Sequence, residues 1–396
     1  MRVANVIEGL ASVSQLHVLL IDVSPTGERI APSATYTVGS IRSRRMGRLG
    51  RVLHSVRVLP SDVHYRRTRG LRRAVAETTS GVAWDLVWCS RARTHLLTTD
   101  IPAGARIVDF DDLNDRLLTS EVLDRTEVRG RLRSFAPNLI DRLDARKWRR
   151  LQRRISTQAD AVVVCSRDDL EHLGAPNGAI VPNGYPDPGH DVAWNLISRL
   201  DDARTVHSRP SMVFAGALTY EPNRLAVEWF VERVLPAIVD RVPGAVLEII
   251  GHPHRHASSL QTDHVVLTGH VPDVSPYYAA ASIAIAPVHS GGGTRLKVIE
   301  ALARGVPLVA TNFACSGFDL VDRTEVRIAD NERDFARACV SLLGDPGQRR
   351  ALAVAGRQRF ELEFDAARCE ASVAELTIDV LERSSSPPRL QGMRRL

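Results

Sequence analysis

Lysine is almost absent from this chain. Only Lys147 and Lys297 occur among 52 basic residues, so arginine density by itself is weak evidence for an anionic partner. A lysine retained in such a sequence marks a position where a compact ammonium is needed rather than a planar guanidinium. The net charge of +6 therefore says little about function by itself.

Long apolar runs and paired cysteines are also lacking. No run approaches the ~20 apolar residues that cross a bilayer, and the N-terminus has neither the apolar block nor the cleavage site of a signal peptide. The five cysteines have no Cys-x-x-Cys spacing, which argues against a zinc site or a disulfide framework and favours buried thiols in a reducing compartment. The sequence predicts a cytoplasmic protein.

Two segments concentrate the arginines. Residues 41–75 hold eleven arginines against one acidic residue, and residues 129–154 hold ten basic residues against two acidic ones. Such a face could rest on the anionic inner surface of the plasma membrane, or it could be a solvated face in an arginine-biased sequence. Aromatic residues make up only 5% of the chain, so base stacking is poorly supported and we expect no nucleic-acid partner.

Short apolar runs alternate with amphipathic stretches along the whole chain. This pattern predicts an α/β fold with parallel sheets covered by helices, and a length of 396 residues favours two domains. The predicted organisation is a first domain at 1–187, a linker at 188–210, a second domain at 211–365, a C-terminal helix returning to the first domain at 366–384 and a disordered tail at 385–396.

The most informative segment is a glycine loop between a predicted strand and a predicted helix. Three glycines allow close approach of the backbone to a ligand, helix amides add a positive field, and Arg295 and Lys297 supply charge for a diphosphate. Glu300 lies about one and a half turns into the helix, where it could accept bonds from ribose hydroxyls. A plain turn with solvated charges is the alternative, and the retained Lys297 favours the anion site. The predicted site comprises Gly291, Gly292, Gly293, Thr294, Arg295, Leu296, Lys297 and Glu300.

This loop resembles the donor loop of family 4 (group 1) glycosyltransferases. Four more segments resemble landmarks of that family: Phe214-Ala-Gly-Ala-Leu-Thr-Tyr-Glu-Pro-Asn223, Ile249-Ile-Gly251, Gly269-His-Val-Pro-Asp273 and Gly305-Val-Pro-Leu-Val-Ala-Thr311. The resemblance implies the GT-B fold, in which two Rossmann-like domains face each other across a cleft. It also implies transfer of a hexosyl group, with retention, from a nucleoside diphosphate sugar to a hydroxyl acceptor such as a polysaccharide, a glycolipid or a small molecule.

The resemblance also assigns roles to individual donor-side residues. Glu300 matches the second glutamate of the Glu-x7-Glu signature, which implies a ribose contact. Gly292 stands at the position of the first glutamate, as in a variant subgroup with Gly-Gly-Gly-Thr-Arg-Leu-Lys, so the donor sugar stays open. Arg295 and Lys297 are implied to clamp the diphosphate, and no cofactor or metal is expected.

Three further donor-side positions follow from the same resemblance. Asn223 and the next residue, Arg224, stand where many relatives have a Lys-Gly pair. Gly216 would let the backbone approach the donor, and Val271 would offer backbone atoms to the base.

On the acceptor side, an acidic segment follows a predicted strand, as the His-Asp pair of the family does. Asp111 falls at the place of the histidine, between Asp109 and Asp112, where it could orient the acceptor hydroxyl or act as a base. Asp109-x-Asp111 could instead be the metal-diphosphate motif of other glycosyltransferase folds, or Asp111 could cap the following helix.

The resemblance further implies that the first strand and its glycine loop are missing, because Met1 begins in the family's first helix. A catalytically inactive relative that only binds nucleotide sugars is therefore the second hypothesis.

Overall fold

The computed structural model divides into two compact units. The N-terminal unit comprises Met1–Asn183 with Cys369–Leu396, and the C-terminal unit comprises Gly184–Arg368. The residues that the structure describes are 2–21, 36–41, 60, 69–116, 118–119, 135–200, 210–254, 257–291 and 295–385. Most of the arginine-rich segment at 41–75 and nearly all of the predicted tail lie outside them.

The strands of the N-terminal unit are β1 Leu16–Ile21, β2 Tyr36–Ile41, β3 Trp84–Ser90, β4 Ala103–Asp109, β5 Ala161–Val164 and β6 Gly178–Ile180. Four of them form a parallel sheet in the order β3-β4-β5-β6, and β1 and β2 form a separate parallel pair. Strand β5 is a continuous apolar run that is buried along its whole length, as in sheets covered on both faces. The helices are α1 Arg2–Ala11, α2 Arg69–Thr79, α3 Ala92–Thr98, α4 Phe135–Ser156 and α5 Arg167–Leu173.

The C-terminal unit has a parallel sheet of six strands. The strands are β7 Ser211–Ala215, β8 Val246–Ile250, β9 Val265–Gly269, β10 Ile283–Ala286, β11 Leu308–Ala310 and β12 Arg327–Ile328. The helices are α6 His190–Arg199, α7 Glu221–Trp229, α8 Leu235–Arg241, α9 Ser275–Ala280, α10 Leu296–Ala303, α11 Asn312–Cys315, α12 Glu332–Gly344, α13 Pro346–Arg359 and α14 Ala366–Ser385, the last of which continues into the N-terminal unit.

The strand order of this second sheet is β12-β11-β10-β7-β8-β9. The chain runs outward from β7 through β8 to β9 and then crosses to the opposite side of β7 to form β10. Such a reversal opens a crevice at the carboxyl ends of the strands, which is where open α/β sheets bind ligands. The fold therefore predicts a ligand site at the carboxyl ends of β7 and β10.

The α/β class with two parallel sheets is confirmed. The stretch at 188–210, which the sequence predicts to be a linker, contains α6, and the division between the two compact units lies between Asn183 and Gly184. Helix α6 buries only Ala193 and Ile197, which lie one turn apart. The polar composition of the rest of the segment therefore conceals the helix in the sequence. None of the helices in the described part of the chain has the length and apolarity needed to cross a bilayer.

Candidate functional site

A cavity of about 410 Å³ lies at the carboxyl edge of the C-terminal sheet, at the reversal point of the strand order. It is bounded by the ends of β7, β8 and β10, by the segment after β9 and by the first turn of α10. The lining residues are Ala215, Gly216, Tyr220, Asn223, Ile250, Gly251, His270, Val271, Val274, Val288, Ser290, Gly291, Arg295, Leu296, Lys297 and Glu300.

Most of the donor-side residues predicted from the sequence are therefore brought together. The cavity is lined by Gly216 directly after β7, by Asn223 of α7 and by Val271 in the segment after β9. Gly292, Gly293 and Thr294 lie outside the described residues.

Glycines form the backbone walls of the cavity. Gly251 has φ +142°, and a Cβ there would lie 2.3 Å from the carbonyl oxygen of Gly216. A Cβ on Gly291, which has φ +123°, would lie 2.8 Å from the Tyr220 hydroxyl oxygen. Only glycine fits these positions, because any side chain would meet neighbouring atoms and adopt an unfavourable backbone conformation.

Lys297 places a cation at the cavity. Its Nζ donates to Oδ1 of Asn223 over 3.0 Å and lies 5.4 Å from the centroid of the Phe214 ring. The amide of Asn223 is itself held, because Nδ2 donates to the carbonyl oxygen of Ala217 over 3.0 Å. Burial, with a smaller effect of Arg295, lowers the pKa of Lys297 to about 8. Asn223 uses one of the three donors that an ammonium carries.

Arg295 precedes α10 and lines the same cavity, but its guanidinium contacts α11 and the residue that follows that helix. It donates to the carbonyl oxygen of Ser316 and, over 3.4 Å, to that of Ala314. It also lies 5.3 Å from the centroid of the Phe313 ring. The two cations predicted to clamp a diphosphate thus differ: Lys297 is held by an amide within the cavity, whereas Arg295 is held by backbone carbonyls.

Glu300 lines the cavity with a carboxylate that three side chains contact. The Tyr185 hydroxyl donates to Oε1 over 2.5 Å, and the Tyr278 hydroxyl donates to Oε2 over 3.3 Å. Arg304, one turn later on α10, donates to Oε1 over 3.4 Å. A carboxylate offers about four acceptor positions, so a ligand hydroxyl has room to bind beside these partners.

Sequence reasoning missed several residues at this site. Tyr185 lies in a turn-rich segment far from α10 along the chain, and no local pattern connects it with Glu300. Tyr220 and His270 lie within segments already identified, Phe214–Asn223 and Gly269–Asp273, which was the available signal. His270 also stacks on His252, with ring centroids 4.3 Å apart and planes inclined by 8°.

The acidic residues of the predicted acceptor side lie at the end of β4 in the N-terminal unit. Asp109 is buried, and its carboxylate accepts from Arg2 Nε over 3.0 and 2.9 Å. The Asp111 amide donates to Asp109 Oδ1 over 3.0 Å, and Asp111 has φ +44°. The Asp111 carboxylate is one-fifth exposed and lies 3.5 Å from the Arg91 guanidinium. Asp112 beside it is half-buried.

The carboxylates of Asp109 and Asp111 both have arginine partners in the structure. Within the described ranges, no group of three or more His, Cys, Asp or Glu side chains is placed to hold a metal ion. The guanidinium of Arg2 occupies the Asp109 carboxylate, which a metal would need as a ligand.

Comparison with known proteins connects the donor-side cavity with a family. Residues 209–345 match the family model described as "Glycosyl transferases group 1". This matched region contains every residue that lines the cavity. A search of curated protein sequences found no significant match.

Solved structures extend the comparison to the whole chain. Sucrose-phosphate synthase from Thermosynechococcus elongatus is 16% identical, with a TM-score of 0.63 over 96% of this chain and 93% of that one. HepE from Anabaena is 13% identical, with a TM-score of 0.62 over 95% and 94%. A glycosyltransferase from Rickettsia africae is 15% identical, with a TM-score of 0.55 over 88% and 86%. The chain therefore has the fold of these GT-B glycosyltransferase structures, and residues 209–345 of its C-terminal unit match the group 1 glycosyltransferase model.

Proposed function

We propose that this protein is a retaining glycosyltransferase that moves a hexosyl group from a nucleoside diphosphate sugar to a hydroxyl group of a polysaccharide, a glycolipid or a small molecule. The main support for this proposal is that Lys297 and Glu300 line one cavity from the same helix, within the region that matches the family model. The cation suits a diphosphate, and the carboxylate suits ribose hydroxyls.

The cavity also has a suitable size, because small-molecule sites are about 300–1,000 Å³. HepE was solved in complex with UDP and with UDP-glucose, so a uridine nucleotide is the first donor class to test. Gly216, Asn223, Val271 and Gly291 would contact this donor, together with the loop residues at 292–294.

In the proposed reaction, the bond between the anomeric carbon and the diphosphate oxygen breaks, and its electron pair leaves with the diphosphate. The acceptor oxygen forms the new bond to that carbon and loses its proton. Lys297 and the first amides of α10 would stabilise the charge that develops on the leaving group. Arg295 would contribute once it exchanges its carbonyl partners for phosphate oxygens. Retention is proposed from the family resemblance.

On the acceptor side we propose that Asp111 orients or deprotonates the acceptor hydroxyl and that Asp112 assists in binding. Asp109 would hold the Asp111 backbone in its left-handed conformation rather than contact the acceptor, because Arg2 already occupies its carboxylate. Such conformations are concentrated at functional sites. Binding to an anionic membrane is a separate proposal that composition alone supports.

The test is calorimetric binding of UDP, GDP and ADP, alone and as their sugars, to the full chain, followed by assays of nucleotide release. We expect one nucleotide to bind and the Lys297→Ala and Arg295→Ala variants to weaken its binding. Lys147→Ala is the matched control, because Lys147 lies in α4 of the other unit and pairs with Asp144 over 3.1 Å.

Three outcomes separate the hypotheses. Binding and turnover that both fall in Lys297→Ala but not in Lys147→Ala support the proposal. Binding without transfer or hydrolysis, for any acceptor supplied, favours a catalytically inactive nucleotide-sugar-binding relative. Unchanged turnover in Lys297→Ala contradicts the assigned role.

A further inference from the structure

Two tyrosines hold the carboxylate of Glu300 from different parts of the C-terminal unit. Tyr185 donates to one carboxylate oxygen over 2.5 Å, and Tyr278 donates to the other over 3.3 Å. Burial, followed by the contact with Glu300, raises the pKa of the Tyr185 phenol, and burial raises that of Tyr278. Both phenols therefore remain protonated hydrogen-bond donors at neutral pH.

The backbone that carries Tyr185 is itself fixed. Its amide donates to the carbonyl oxygen of Phe364 over 2.8 Å, and its carbonyl oxygen accepts from the Ala366 amide over 3.1 Å. Tyr278 is 1% exposed, and the Arg304 guanidinium lies 5.4 Å from the centroid of its ring. Both hydroxyls are thus presented by groups with little conformational freedom, which is the condition for a preorganised site.

This arrangement keeps the charges of Lys297 and Glu300, both on α10, from pairing with each other. Lys297 and Glu300 are three positions apart, a spacing at which opposite charges on a helix attract each other. In the structure Lys297 donates to Asn223, and the carboxylate accepts from the tyrosines. Without the two hydroxyls, only the 3.4 Å contact from Arg304 would hold Glu300, and the carboxylate would be able to turn toward Lys297 and neutralise the cation that a diphosphate needs.

We infer that Tyr185 and Tyr278 are positioning residues for donor binding, which hold the Glu300 carboxylate where it accepts from the ribose hydroxyls of the nucleotide and away from Lys297. The inference rests on the proposed function. It adds two residues that act through Glu300 and that lie outside the glycine loop and its helix.

The test compares UDP with 2′-deoxy-UDP and 3′-deoxy-UDP in calorimetric binding to the full chain. We expect Tyr185→Phe, Tyr278→Phe and Glu300→Gln each to weaken UDP binding about tenfold, the scale of one hydrogen bond to a charged group. In these variants, the affinity for at least one deoxy analogue should fall less than about twofold, because that analogue already lacks the hydroxyl that would donate to Glu300. The Tyr185→Phe, Glu300→Gln double variant should bind UDP no more weakly than Glu300→Gln, because both changes remove the same contact.

Tyr277→Phe is the matched control, because Tyr277 is a neighbouring tyrosine of α9 that is not among the side chains that hydrogen-bond to Glu300, and thermal unfolding checks that every variant folds. A uniform loss for UDP and both deoxy analogues would overturn the positioning role in favour of a general effect on the fold. Weakening in Glu300→Gln but in neither tyrosine variant would overturn the inference and leave the proposed function standing. Failure of the wild-type chain to bind any nucleotide would overturn both.

Discussion

The ammonium of Lys297 donates to the amide oxygen of Asn223 over 3.0 Å, and neither this amide nor the nearby Phe214 ring carries a negative charge. These partners stabilise the cation without neutralising it. Burial, with a smaller effect of Arg295, lowers the pKa of Lys297 to about 8, and Glu300 partly opposes the shift. Lys297 thus has charge to offer a diphosphate and loses it at a moderately alkaline pH.

Nucleotide affinity should therefore fall as the pH rises through 8. The free protein carries the cation below a pKa of about 8, and a bound diphosphate favours the cationic form. From pH 7 to pH 9 the protonated fraction falls about tenfold, so the dissociation constant of UDP should rise by about the same factor. Calorimetric titrations in buffers of matched ionic strength would measure this change.

Lys297→Arg is the control for this pH dependence. A guanidinium stays charged over the whole range, so the variant should bind UDP with an affinity that changes little between pH 7 and pH 9, even if it binds more weakly. Equal pH dependence in both proteins would show that another group is responsible.

Gly251 should not tolerate a side chain. A Cβ at this position would lie 2.3 Å from the Gly216 carbonyl oxygen at φ +142°, and a backbone atom cannot move aside as a flexible side chain can. Gly251→Ala should therefore lose at least about 2 kcal/mol of stability or bind UDP more than about tenfold more weakly. Urea unfolding and calorimetry would measure the two effects.

The matched glycine variant is Gly344→Ala at the end of α12, where an added Cβ has no neighbour within 4 Å. Because alanine is the better helix former, this variant should be as stable as the wild type or slightly more stable. A Gly251→Ala protein with the stability and affinity of Gly344→Ala would contradict the account of the cavity wall.

Strands were easier to predict from the sequence than short helices. Strand β8, Val246–Ile250, gives a clear signal in the sequence, because four of its five residues are apolar. Strand β2 gives a weaker signal, since Tyr-Thr-Val-Gly-Ser-Ile contains glycine and serine. Helix α6 was missed because a few apolar residues in a polar segment give a weak helical period.

The same limit applies to the site. Gly291, Lys297 and Glu300 are close in sequence and line the cavity, so a local motif was enough to nominate them. Tyr185 is 115 positions from Glu300, and its surroundings indicate only turns. The partners that orient a charged side chain are set by tertiary packing, which local patterns do not encode.

The buried pair of Arg2 and Asp109 should make a large contribution to the stability of the N-terminal unit. Arg2 donates to both carboxylate oxygens and, over 2.8 Å, to the carbonyl oxygen of Val181. Arg2→Met should therefore cost about 3–5 kcal/mol in urea unfolding, because a buried carboxylate is left without its counter-charge. Arg73→Ala should leave the urea midpoint almost unchanged, since Arg73 forms an exposed pair with Glu77. The Arg2→Met, Asp109→Leu double variant should recover much of the loss, because it removes the uncompensated charge. If it is no more stable than Arg2→Met, the cost arises from packing around Arg2 and not from the isolated carboxylate.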